Sequence, residues 1–227
     1  MNAEEIKAAI AADIDLILSL DHGNIDELIT EIPKEVGVVF LPTNIKEGLM
    51  PRTAEARVSS LLKLRDQLLD QGLTKLAADP IIQMPINPGF AQSLESYLAY
   101  RKVDSLTPMM TCVGNVTEFI AADAIGINGL FGCLAVELGI QLLLMTDVSI
   151  KCRGGVKEIK RARDLAYVAK VKQAPPKGHG ISLLMAKNRT GTDLPIAPPE
   201  KLELRIITET DSSQAEPFLL DPKGSFT

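Results

Sequence analysis

Several groups of residues in this chain have types and spacings suited to chemistry. Asp79 ends the apolar run Thr74 to Ala78 and is followed by Pro80, in "KLAADPIIQMPINPGF". A carboxylate there can accept two N–H donors from a ligand, or it can close an Asp-Pro turn or cap a helix. Asn115, in "VGNVTEF", follows another apolar run. Its amide both donates and accepts, so it can serve a ring nitrogen in either protonation state. With Glu118 three residues on, it also fits a capping box. Lys151 and Arg153 come just before Gly154-Gly155 at the start of a helical period, where backbone N–H groups and the helix dipole favour phosphate or pyrophosphate. Lys157, Lys160, Arg161 and Arg163 read as a solvated helix face. The stretch Ser19 to Asn24 closes the first apolar run. His22 and His179 have no partner spacing, so neither a zinc set nor a Ser/His/Asp triad can be built, and His22 reads as a loop residue.

These residues need elements to position them. Runs rich in Val, Ile and Leu (Asp15 to Leu20, Val36 to Leu41, Thr74 to Ala78, Met109 to Val113, Ile140 to Thr146) alternate with stretches of helical period such as Thr53 to Gln71 and Gly155 to Lys172. That alternation predicts an α/β fold with a parallel sheet, and strands apolar at successive positions are expected to be covered on both faces. The candidate polar residues fall after the strands, at the end where parallel sheets bind ligands in both open and barrel architectures. No glycine-rich phosphate turn follows the first strand. The glycines of "GINGLFG", Gly126, Gly129 and Gly132, read as one close-packing helix face. The pattern changes after "KQAPPKGHG", where "ISLLMAK" and "KLELRIITE" read as strands of a smaller α+β appendage. The expected division is therefore residues 1–172 and 173–227.

Composition narrows the function classes. A chain of 227 residues, 46% hydrophobic and 23% charged, can bury a sizeable core and is not disordered. A net charge of -5 and the lack of tryptophan exclude the basic footprint and stacking platform of a nucleic-acid binder. Cys112, Cys133 and Cys152 show no CxxC spacing and suit a reducing compartment. No apolar run approaches the roughly 20 residues a membrane span requires, and no cationic leader precedes "MNAEEIKAAIAAD", so the expected location is the cytoplasm with no membrane partner.

The segments "ADPIIQMPINPGFAQSLESY", "GNVTEFIAADAIGINGLFGCLAVELGI" and "DVSIKCRGGVKEIKRA", in this order and spacing, resemble the pterin-binding barrels. The likeness is to the dihydropteroate synthase-related proteins of organisms that make tetrahydromethanopterin. It covers about Asp15 to Asn188 and implies a TIM barrel. The ligand it implies is a pterin of tetrahydromethanopterin or tetrahydrofolate type, with no metal. On this resemblance Asp79 accepts the pterin 2-amino group and adjacent ring N–H as a bidentate pair, and the prolines after it hold the loop in one shape. Asn115, in "GNVT", looks like the ring-contacting asparagine of the pterin methyltransferases; Ser19, Asn24 and Gly114 complete the implied pterin pocket. Lys151 and Arg153 are the implied phosphate site.

The sequence also departs from the families it resembles. The synthases carry a lysine after the Asp-Pro turn and a Ser-Arg-Lys motif after the seventh strand, where this chain has "PINPGF" and "GNVTEF". The methyltransferases work with a corrinoid protein, and nothing in the chain resembles a corrinoid-binding domain. A closed barrel has eight strands in about 250 residues, and the five strands here correspond to the fourth through eighth. The expectation is a partial barrel that forms a homo-oligomer or draws on a missing barrel half. Its activity would be that of a pterin transferase, of a methyltransferase subunit with a corrinoid partner, or of a catalytically incomplete binding or scaffold protein.

Overall fold

The computed structural model describes residues 2–183, which lie in the first of two units, 1–191 and 192–227. Five short strands alternate with helices. The strands are β1 (Leu16–Leu20), β2 (Gly37–Phe40), β3 (Leu76–Ala78), β4 (Met110–Cys112) and β5 (Leu142–Leu144), each inside a run the sequence marks as apolar. The helices are α1 (Ala3–Ala11), α2 (Ile25–Leu28), α3 (Ala54–Asp70), α4 (Phe90–Val103), α5 (Gly114–Thr117), α6 (Ala124–Leu138) and α7 (Gly155–Val171). No helix or strand follows α7 up to Leu183, and the rest of the expected appendage, including "KLELRIITE", lies outside the described residues.

Among the described residues all strand pairs are parallel, in the orders β1-β2-β3 and β4-β5. A parallel bridge between Ala78 and Met109 joins the two groups, reinforced by the Ala78 N–H on the Pro108 carbonyl at 2.8 Å. Spatial order therefore follows chain order, with none of the reversal that defines a doubly wound sheet. Among the described residues β1 and β5 do not pair, and the sheet does not close.

Alternation along the strands separates two apolar faces. Val38, Phe40, Leu76, Ala78 and Met109 join the main core, which α3 enters through Leu61, Leu64 and Leu68, all fully buried. The opposite face carries Val39, Ala77 and Met110, packed with Leu142. Toward its edges that face is partly uncovered: Leu16 and Leu18 are 39% and 46% exposed, and Leu144 is 36% exposed. Burial on both faces thus holds for the central strands and not for the outer ones. Helices α3, α4, α6 and α7 pack on one another in succession. Gly132 permits the α6–α7 approach, because a Cβ there would lie 2.5 Å from that of Ala162. Gly126 meets nothing within 4 Å, whereas a Cβ at Gly129 would lie 3.2 Å from the Leu183 side chain, so the close packing expected of the glycine face holds at Gly132 and Gly129 and not at Gly126.

Candidate functional site

The loops at the carboxyl ends of β3, β4 and β5 are joined side to side. Asp79 follows β3 directly and is 5% exposed. Its Oδ1 accepts the Ile81 N–H at 2.8 Å and the Tyr97 hydroxyl, from α4, at 2.7 Å. The first bond is the Asp-Pro turn anticipated from sequence; Oδ2 accepts no hydrogen bond from the described residues. Burial pushes the Asp79 carboxyl from 3.8 up to about 6, against the opposing pull of the Tyr97 and Ile81 donors. The same burial, together with the Asp79 charge, drives the Tyr97 phenol well above its usual value.

The loop after Asp79 is held by side chains from three helices. Arg57 of α3 donates to the carbonyls of Pro80 and Ile81 and to the Gln83 side-chain oxygen. The Ser93 hydroxyl of α4 accepts the Gln83 N–H at 3.1 Å. Asn115 of α5 donates its amide to the Ile82 carbonyl at 3.0 Å. These bonds hold Ile81 and its β-branched side chain at φ 65°, a left-handed conformation that only a well-determined environment maintains. Asn115 therefore does not cap α5, whose N-cap residue is Val113. Its half-buried amide reaches the Asp79 loop, with the buried Gly114 beside it.

Lys151 donates to the Thr117 carbonyl at the end of α5 and lies beside Glu118. That carboxyl is held below its usual value first by the Ser149 hydroxyl and also by Lys151. Arg153 is exposed. At the start of α7 the Val156 N–H already meets the Asp147 carboxylate at 3.2 Å. The cationic loop is thus partly neutralised from within.

The remaining candidates lie on the β1 side. Asn24 accepts the Asp21 N–H at 2.9 Å and donates to the Ser19 carbonyl at 3.3 Å, so its amide braces its own turn. Asp21, buried after β1, accepts from Gly23, Thr43 and Ile45 and ties the β1 loop to the β2 loop. His22 contacts the Ser60 hydroxyl at 2.8 Å. Asp79, Gly114, Asn115 and Lys151 are thus linked through neighbouring loops, whereas Ser19 and Asn24 belong to a separate cluster.

Sequence reasoning did not single out Arg57 or Tyr97. Both sit on buried helical stripes, Arg57 in register with Leu61 and Leu64 and Tyr97 with Ser93 and Tyr100. A charged or phenolic side chain on a core stripe is the signal that marks them.

No protein-family model matches the chain. It is 36% identical over 220 residues to an uncharacterized protein of Methanocaldococcus jannaschii, an alignment that takes in 92% of this chain and 42% of that protein. The chain thus spans less than half the length of this relative.

Proposed function

We propose that the chain is a pterin-binding protein of the dihydropteroate synthase-related type. Its place is cytoplasmic tetrahydromethanopterin or folate-like cofactor metabolism, with transferase activity once the barrel is complete. The observation that carries this reading is Asp79, a desolvated strand-end carboxylate whose two hydrogen bonds fall on one oxygen. The other oxygen is left for one N–H of a pterin edge, and the second N–H would share Oδ1 with Tyr97 and Ile81. The Asn115 amide, tied to the same loop, supports a ring contact. It favours a second reading as well, a methyl-tetrahydropterin:corrinoid methyltransferase-like subunit with a corrinoid protein as partner.

Calorimetry with 6-methyltetrahydropterin tests the site. The ionised carboxylate accepts the N–H pair and the protonated form cannot, so affinity rises through pH 6 to a plateau. Asp79→Asn should weaken binding by about 1 to 3 kcal/mol, and Asn115→Ala should weaken it without unfolding the chain. Equal affinity in wild type and Asp79→Asn would return Asp79 to the role of turn residue.

The sequential strand order supports a partial barrel. Right-handed crossovers between successive parallel strands place their helices on one face, which makes the Val39, Ala77 and Met110 face the barrel interior. Closing it takes further strands against β1 and β5, from a second copy in the homo-oligomeric reading or from more barrel in a longer chain. Sedimentation should then show association that Leu16→Lys with Leu18→Lys abolishes. A monomer at all concentrations removes the homo-oligomer.

A further inference from the structure

Between the β2–α3 and β3–α4 loops lies a cavity of about 550 Å³, whose lining includes Met50, Arg52, Arg57, Gln83, Asn87 and Gln92. The size suits a small molecule, since such sites span roughly 300 to 1,000 Å³. Two cationic side chains line it and no acidic one does.

Arg57 is the distinctive member. It is 1% exposed, and its hydrogen bonds go to the carbonyls of Pro51, Pro80 and Ile81 and to the Gln83 amide oxygen, all neutral. No ion pair among the described residues includes it. Neutral dipoles orient a guanidinium, but they leave a buried positive charge without the counter-charge that such groups ordinarily have. Desolvation accordingly lowers the Arg57 pKa. Arg52 adds an exposed cation at the cavity mouth. Gln92 stands in the first turn of α4, which has no capping side-chain bond and no acidic residue, so the positive end of that helix dipole adds to the field. The start of α7 differs in having the Asp147 carboxylate on it.

We propose that this cavity is a binding site for a small organic anion whose phosphate or carboxylate group sits against Arg57 and Arg52. The bound anion supplies the counter-charge that Arg57 lacks, while the loop carbonyls keep the guanidinium fixed. The cavity carries this assignment independently of whether a pterin binds at Asp79.

Pyrophosphate and malonate, titrated separately into the full chain by calorimetry, distinguish a phosphate from a carboxylate ligand. At least one should bind, and its affinity should fall as salt is raised. Arg57→Ala would loosen the Asp79 loop, so the informative variant is Gln92→Glu. It places a carboxylate in the first turn of α4, where the helix tolerates it, and should weaken binding about tenfold or more through like-charge repulsion with the melting temperature kept or raised. Arg52→Ala should weaken binding less, and Lys151→Ala with Arg153→Ala should leave it unchanged. The assignment fails if neither anion binds, or if Gln92→Glu binds as wild type does. It also fails if the Lys151 and Arg153 pair alone accounts for binding.

Discussion

Two buried aspartates, each hydrogen-bonded by a tyrosine of α4, sit at opposite ends of the strands. At the amino end of β4, Asp104 accepts on both oxygens. Oδ1 takes the N–H groups of Leu106 and Thr107, and Oδ2 takes Arg65, Tyr100 and the Thr107 hydroxyl. Burial raises its pKa, but the Thr107 and Arg65 bonds outweigh burial and hold the carboxyl far below its usual range. At the carboxyl end of β3, Asp79 has two donors, neither charged, both on Oδ1, and burial prevails. Both side chains are almost wholly shielded from solvent, but Asp79 lies deeper and has fewer donors, so the anion is strongly stabilised in one place and poorly in the other. Position along the strands does not decide this, because Asp21, at the carboxyl end of β1, also accepts on both oxygens; what separates Asp79 is that its donors reach one oxygen alone.

The widest gap should come from replacing each aspartate by asparagine. In Asp104→Asn one oxygen becomes an NH2 facing donors, and the partly exposed Arg65 keeps only Asp66 as its counter-charge. The cost should be about 2 to 3 kcal/mol, measured by urea unfolding at pH 8. Asp79→Asn keeps an oxygen for Tyr97 and Ile81 and removes a desolvated charge, so at pH 8 it should stabilise by up to about 3 kcal/mol, the worth of moving a carboxyl from 3.8 to about 6.

The pH windows follow with opposite signs. The folded state holds the Asp79 proton more tightly than the unfolded state does, so wild-type stability falls as pH rises from about 4 to 6. Asp104, whose folded value is depressed, contributes stability above pH 4 that is lost on further acidification. Asp79→Asn should erase the first slope and leave the second. Loss of stability in both variants at pH 8 would show that the two carboxylates play the same structural part.

Much of the frame was legible, because buried strands must be apolar and a buried helix face must repeat at its own period. All five strands and the Leu61, Leu64 and Leu68 stripe follow from that local rule. The Asp79 turn was equally readable, since Asp-Pro chemistry acts over two residues. What surrounds the turn was not. Arg57 reaches Pro80, Ile81 and Gln83, Asn115 reaches Ile82, and Lys151 reaches Thr117. Each of these bonds joins side chain to loop across a strand-helix unit whose packing no local pattern encodes. The reading of Lys151 and Arg153 as a phosphate site came from their place before a helix start, and no local pattern tells that Thr117, Glu118 and Asp147 stand nearby. The charge that Arg57 brings to the leucine stripe of α3 was a signal in the sequence that went unread, and it does not tell what the residue holds.

The smallest predicted effects probe the two tyrosines, which stand three residues apart on α4. Tyr100→Phe removes one of five donors to Asp104, and the four that remain include Arg65 and both Thr107 groups. Its cost should be about 0.5 to 1.5 kcal/mol, with the acid limb of the stability curve little moved. Tyr97→Phe removes one of the two donors to Asp79 among the described residues, and the bond it deletes favours the anionic form. At pH 8, where that anion must stay buried, the cost should be about 1.5 to 3 kcal/mol. Near pH 4, where the carboxyl is protonated in the folded state, it should shrink. The Asp79 window should also shift upward from about 6, because losing a donor to the charged form raises an acid's pKa. Urea midpoints of the two phenylalanine variants across pH 4 to 8 decide the matter. Parallel curves would mean that the phenol contributes only packing and that something other than these hydrogen bonds sets the two aspartates apart.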